Sequence, residues 1–222
     1  MQTILGANGI IANELAKELH INFTKDIRLV SRNPKKINDT DELFSADLLN
    51  SSQTAAAVKG SELVYLTAGL PYHSKIWNEQ WPVIMRNVID ACKMHHAKLV
   101  FFDNLYMYGQ VNGIMTEETP FKAISSKGKV RGKIAQMLLD EMKSNQITAM
   151  ICRAPEFYGP RNTKSGTNAT IFENIKKGEY SYGEYFCPVC KKKTPHSDHG
   201  FRNHNFRLQC NKCKNISYAE VE

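Results

Sequence analysis

Three groups of residues could do chemistry by their type and spacing. Near the start, Gly6-Ala7-Asn8-Gly9-Ile10-Ile11-Ala12 follows the short apolar run Thr3-Ile4-Leu5 and leads into a segment of helical period. Gly6 permits the tight turn leaving a strand, and Gly9 lets the backbone approach a pyrophosphate held at the N-terminus of the next helix. Ala12 takes the third, packing position, and Gly6, Asn8, Gly9 and Ile10 are the residues expected against the phosphates. Next, Ser31-Arg32-Asn33-Pro34-Lys35-Lys36 ends an apolar segment where a dinucleotide-binding domain meets the adenosine ribose. An acid there accepts hydrogen bonds from a 2′-hydroxyl, whereas an arginine accommodates a 2′-phosphate. The acid is absent and Arg32 is present, so NADP is expected in preference to NAD. Third, Cys187, Cys190, Cys210 and Cys213 form two Cys-x-x-Cys pairs with nineteen residues between them. Each pair turns two thiolates toward one ion, and two pairs complete a closed tetrahedral site, so a structural zinc is expected. His196, His199 and His204 lie between the pairs but are surplus to four thiolates.

Elements of alternating type must position these groups. Strand-like runs over 26–31, 43–48, 63–69, 98–103 and 147–153 follow the opening strand, and helical spacing occupies the opening helix, 54–59, 74–96 and 129–143. Ile11, Leu15 and Leu19 mark the core face of the opening helix, and Pro82 is expected near a first turn or a kink. Lys98-Leu99-Val100-Phe101-Phe102-Asp103 is almost wholly apolar, as a strand covered on both faces would be. Alternation of this kind predicts an α/β fold, a doubly wound parallel sheet with helices on both faces.

The chain has 222 residues, 42% hydrophobic and 23% charged, enough to bury a core. No run of eighteen apolar residues is present and no secretory signal is visible, so no membrane partner and a cytoplasmic location are expected. The net charge of +7 is uneven: residues 185–222 carry seven Lys/Arg against three Asp/Glu. That surplus is compatible with nucleic acid, met through Arg202, Arg207, Phe201 and Phe206, and equally with a solvated turn or a protein-docking module. Cys92 and Cys152 sit in apolar patterns and read as small buried hydrophobes.

Several segments together resemble a known family. The glycine turn, Asp47-Leu48, Tyr106-Met107-Tyr108-Gly109 and Arg153-Ala154-Pro155-Glu156-Phe157-Tyr158-Gly159-Pro160 are similar to those of extended short-chain dehydrogenase/reductases, the NAD-dependent epimerase/dehydratase family, especially its atypical members. The resemblance runs from residue 1 to about Gly178 and implies a Rossmann domain over 1–178 lacking the usual C-terminal part. It places Asp47 and Leu48 near the adenine, Thr67, Ala68 and Gly69 beside the cofactor, and Pro155 near the nicotinamide. It also implies pairing of the helices over 74–96 and 129–143 between subunits, a homodimer. Residues 179–184 then read as a linker and 185–222 as a zinc ribbon similar to those that open some transposases.

Catalytic positions fit the family less well. Its enzymes use a tyrosine and a lysine four residues later on one helix, because one turn of spacing lets the ammonium lower the phenol's pKa. Lys133 fits the lysine position, which also contacts cofactor, but Lys129 stands where the tyrosine belongs and Asn104 where a serine or threonine belongs. Tyr108 is the substitute phenol, with Tyr106 and Tyr158 as others. The sequence thus points to a dinucleotide-binding protein of reductase or epimerase type, acting on a small or nucleotide-linked substrate where chemistry survives. Two other readings stay open: a nucleic-acid-binding or protein-docking ribbon protein, and a truncated fusion product without activity.

Overall fold

The computed structural model describes residues 1–155 throughout. Beyond them it describes 157, 162, 165, 173, 189–191 and 213, and the backbone of 181–187, 192–202, 205–210 and 216–220. Two compact units result, Met1–Pro155 and Glu156–Glu222.

In the first unit β1 (Gln2–Leu5), α1 (Ile10–Asn22), β2 (Ile27–Ser31), β3 (Glu42–Ser45), α2 (Ser51–Val58), β4 (Leu63–Leu66), α3 (Ser74–Met94), β5 (Lys98–Asp103), α4 (Ser126–Lys143) and β6 (Ala149–Arg153) follow one another. The six strands form one parallel sheet in the order β3-β2-β1-β4-β5-β6. Chain direction across the sheet reverses between β1 and β4, so a crevice opens at their C-terminal ends, the place where open α/β sheets bind ligands. The sheet's two faces are told apart by adjacent residues of β1. Ile4 packs with Ala12, Ala16 and Leu19 of α1. Leu5 packs with α2, α3 and α4 through Val58, Trp81, Met85, Ile89 and Ile134.

One expectation about the helices is corrected. The core face of α1 is Ala12, Ala16 and Leu19, while Ile11 and Leu15 are only half-buried and line an apolar cavity of about 360 Å³ with Tyr65, Val100 and Cys152. Small residues directly over the strands let the helix sit close, which turns the bulkier ones to its flank. Helix α3 starts at Ser74 as expected, so of the two places expected for Pro82 the first turn is excluded and the proline lies in the interior; Trp77 and Trp81 are buried on the face that packs on the sheet. Cys92 is fully buried as expected, and burial pushes its thiol up to about 12; Cys152 is half-buried.

The second unit contains β7 (Ser181–Cys187), β8 (Lys192–Arg202), β9 (Asn205–Cys210) and β10 (Ile216–Glu220), one antiparallel sheet in the order β10-β9-β8-β7. Strand β7 opens at Ser181, inside the stretch read as a linker.

Candidate functional site

The glycine turn sits at the sheet's reversal point. Gly6 has φ +96°, and a Cβ there would lie 2.4 Å from the Ala68 Cα. Only glycine satisfies both, so the turn rests directly on the end of β4. Gly6 and Ala7 donate from their N–H groups to the Val30 carbonyl, and Gly9 donates to the Gly6 carbonyl. Gly9 is the N-cap of α1 and brings no side chain to its first N–H groups. A capless helix start of this kind leaves donors and the positive end of the helix dipole aimed at an anion.

Neighbouring loops are tied to this turn. Asn8 donates from Nδ2 to the Asn33 carbonyl at 2.9 Å, and Ser45 donates from Oγ to the Arg32 carbonyl at 2.8 Å. Arg32 is exposed, and beside it the hydroxyl of Ser31 is buried with no hydrogen-bond partner. The Asp47 carboxylate accepts from the Leu49 N–H, so it caps its own loop. Leu48 is buried, and its carbonyl accepts from Asn87. On β4's side, Thr67 hydrogen-bonds the Leu5 carbonyl through its N–H and its hydroxyl, Ala68 supports Gly6, and Gly69 is exposed with open space where a Cβ would be. Glycine turn, Arg32 loop and Thr67–Gly69 are therefore brought together; Pro155 is exposed at the end of the first unit.

Among the described residues no hydrogen bond or ion pair joins Lys133, Asn104 and Tyr108 to one another. Tyr108 is buried, and its hydroxyl accepts from Arg153 Nη1 at 2.8 Å. Asn104 spends its side-chain carbonyl on the Tyr106 N–H. Lys133 is exposed on the outward face of α4, with Lys129, Gln136 and Asp140. Tyr158 lies outside the described residues.

What the structure turns toward the sheet is a different pair, the buried Arg131 and the half-buried Lys127. Arg131 is buried and donates from Nε and Nη2 to Asp103 Oδ1 at the end of β5, with its guanidinium over the Trp81 and Phe101 rings. Burial pushes the Asp103 carboxyl up, against the pull of Arg131, the Asn104 N–H and Arg153; burial likewise lowers Arg131. Asp103 Oδ2 and Arg153 Nε and Nη2 are buried without hydrogen-bond partners, although Arg153 Nε lies 3.9 Å from that oxygen. Lys127 stands one helical turn before Arg131, its Nζ 3.0 Å from the centroid of the Tyr72 ring. It borders a cleft of about 480 Å³ with Tyr72, Ser74, Tyr106, Met115 and Ser126.

Of the four zinc-ligand candidates, Cys187 and Cys210 end β7 and β9, and their side chains lie outside the described residues. Cys190 is half-buried in the turn between β7 and β8, and Cys213 is exposed between β9 and β10. Among the described residues no group of three potential metal ligands occurs, and no helix is long and apolar enough to cross a membrane.

Residues 3–201 match the NAD dependent epimerase/dehydratase family. The chain belongs to that family. The match runs past Gly178, where the sequence resemblance was expected to end, into β8. No curated protein sequence matches. Among solved structures, UDP-glucuronic acid 4-epimerase from Bacillus cereus in complex with NAD superposes with TM-score 0.69 at 18% identity, covering 81% of this chain and 65% of its own. UDP-glucose 4-epimerase from Thermus thermophilus, also with NAD, gives 0.68 at 17%, covering 81% and 64%. A dTDP-glucose 4,6-dehydratase variant from Streptomyces venezuelae gives 0.70 at 12%, covering 80% and 62%. The chain thus spans less than two thirds of the length of these neighbours.

Within this epimerase/dehydratase member, sequence reasoning missed Asp103, Lys127, Arg131 and Arg153. A signal was present for the helical pair: Val130, Ile134 and Leu138 set the buried stripe of α4, and Arg131 lies one turn before Ala135 on the same stripe. Residues two apart on a helix face nearly opposite ways, so a stripe that buries Arg131 and leaves Lys127 half-buried puts Lys129 and Lys133 outward.

Proposed function

We propose that the first unit binds a nicotinamide dinucleotide, NADP in preference to NAD, without the phenol–lysine proton relay of the family's dehydrogenases. The observation that carries the reading is the turn at Gly6, left-handed and pressed on Ala68, leading into a helix whose cap brings no side chain to the phosphates. Gly6, Asn8, Gly9 and Ile10 would hold the pyrophosphate, Asp47 and Leu48 the adenine side, and Thr67–Gly69 and Pro155 the nicotinamide side. Arg32 and the unpartnered Ser31 hydroxyl suit a 2′-phosphate. The solved neighbours named above carry NAD, so the preference for NADP rests on this end of β2 alone. When bound, the nicotinamide supplies a hydride acceptor or donor. The chain's own groups do less: Tyr108 is held by Arg153 and Lys133 faces outward, so neither is set to move a proton at the ring. Sugar-nucleotide redox or epimerase chemistry, as in the neighbours' names, is therefore the weaker part of the reading.

Isothermal titration of the purified chain with NADPH and NADH tests this. Saturable NADPH binding is expected at sub-millimolar concentration, with Arg32→Ala weakening NADPH about tenfold, roughly the loss of one charge-assisted contact, and leaving NADH nearly unchanged. Absence of saturable binding by either cofactor would sink the reading.

A second reading concerns the other unit. Strands β7 and β9 both run antiparallel to β8, with Cys187 opposite Lys192 and Cys210 opposite His196. Both Cys-x-x-Cys turns therefore lie at the same end of the sheet, as one four-thiolate zinc site requires. A nucleic-acid partner rests on the surplus positive charge of 185–222 alone.

A further inference from the structure

We infer that NADP selectivity is set at a distance by Asp41 and Asn38, positioning residues that hold the basic stretch 32–36 in the shape that receives a 2′-phosphate; the inference rests on the cofactor reading above. Between β2 and β3 the chain makes a single loop, residues 32–41. Its first half, Arg32-Asn33-Pro34-Lys35-Lys36, carries the cations. Its second half is an anchor built around a buried carboxylate.

Asp41 is 3% exposed. Its Oδ2 accepts from the N–H groups of Ile37 and Asn38 at 3.0 and 2.6 Å, and its Oδ1 accepts from Asn38 Nδ2 at 3.2 Å. The Asp41 N–H closes the ring by donating to the Asn38 carbonyl at 3.1 Å. Asn38 Nδ2 uses its other hydrogen on the Ala16 carbonyl of α1, also at 3.1 Å, and Ile37 packs against the apolar cluster shared by α1, β1 and β2. The anchor is thus fixed to the helix that follows the glycine turn. At the near end, Asn8 holds the Asn33 carbonyl and Ser45 the Arg32 carbonyl. The basic stretch is tied at both ends, and Pro34 within it removes further backbone freedom.

Charge is distributed to the same end. A buried carboxylate is costly unless its lone pairs are met; Asp41 meets N–H donors of its own loop, and among the described residues no cation lies within ion-pair distance of it. Lys36 donates from Nζ to the Asp39 carbonyl at 2.7 Å, so that ammonium is held by the anchor. Arg32 and Lys35 are exposed, and among the described residues no hydrogen bond or ion pair engages their side chains. The acid shapes the loop, and two cations stay unneutralised for an arriving anion. Ordering the stretch beforehand removes that cost from binding. NADPH and NADH differ only in the 2′-phosphate, so loosening the anchor falls on NADPH and spares NADH.

The experiment is isothermal titration of the full chain and its variants with NADPH and with NADH. Asp41→Ala and Asn38→Ala are each expected to weaken NADPH about fivefold and to leave NADH within about twofold. In an Arg32→Ala background Asn38→Ala should change NADPH by less than about twofold, because a positioning residue has no effect once the group it positions is gone. Glu141→Gln, which loosens the fold elsewhere, should keep the wild-type ratio of the two affinities. An unchanged ratio in Asn38→Ala and Asp41→Ala, an equal loss of both cofactors, or additive losses in the double variant would overturn the inference. Either single variant decides if the other misfolds. A wild type that binds both cofactors alike overturns it too and leaves dinucleotide binding standing, whereas silence of both cofactors sinks the cofactor reading and this inference with it.

Discussion

Gly6 carries two constraints at once, a left-handed φ and a 2.4 Å approach to Ala68. Gly6→Ala is expected to destabilise the first unit by at least about 1–2 kcal/mol, the left-handed penalty alone, and to abolish NADPH binding; urea unfolding and titration read the two effects separately. Asp103 and Arg131 form the other constrained pair, with side chains 0% and 5% exposed. Asp103→Asn leaves a guanidinium buried without its counter-charge, which costs about 3–5 kcal/mol, visible as a lower urea midpoint at unchanged slope. The glycine turn was legible in sequence because its constraints act between near neighbours and it is framed by a strand and a helix. The Asp103–Arg131 pair was not, because 28 residues separate its members and arginine in a helix usually faces water. Lys129 and Lys133 have the spacing of a catalytic pair, yet packing of Val130, Ile134 and Leu138 on the core leaves both exposed.

At the level of elements, α3 and α4 are joined by Glu141, which accepts from Arg86 Nη1 and Lys93 Nζ, each at 2.8 Å. Hydrogen bonds from Lys93 and Arg86 hold its carboxyl below the ordinary value. A lowered folded pKa means stability that is present above the unfolded value, near 4.3, and lost as pH falls through the folded one. With Arg86 39% and Lys93 31% exposed, solvent screens the pair, so the contribution is about 0.5–1 kcal/mol. Glu141→Gln should therefore be less stable than wild type by that amount at pH 7. The gap should hold to about pH 5 and close below about pH 4, as thermal melts across pH would record. Strand β5 was legible to the residue, because an apolar run bounded by Lys98 and Asp103 admits one assignment. Helix α4 begins three residues before its expected start: its signal is the Ser125 hydroxyl accepting from the Gly128 N–H, and serine pairs are common in loops too.

The molecule as a whole consists of two compact units, and the zinc proposal concerns only the second. A unit of that size with a structural metal draws folding energy from it. Chelation is thus expected to lower the melting temperature of one transition and leave NADPH affinity within about twofold; native mass spectrometry should show one zinc lost. The alternation of strands and helices through β6 was legible because parallel strands buried on both faces advertise themselves as apolar runs. Strands β7 to β10 were not assigned one by one from the sequence, since polar strands carry little periodic signal. One consequence concerns light. The chain's two tryptophans, Trp77 and Trp81, both lie on α3, one stacked on Tyr106 and the other beneath Arg131. Emission excited selectively from indole therefore reports on the cleft and the Asp103–Arg131 pair, and residues 156–222 contribute no indole of their own. An unfolding curve followed by that colour alone is carried by the unit that holds α3.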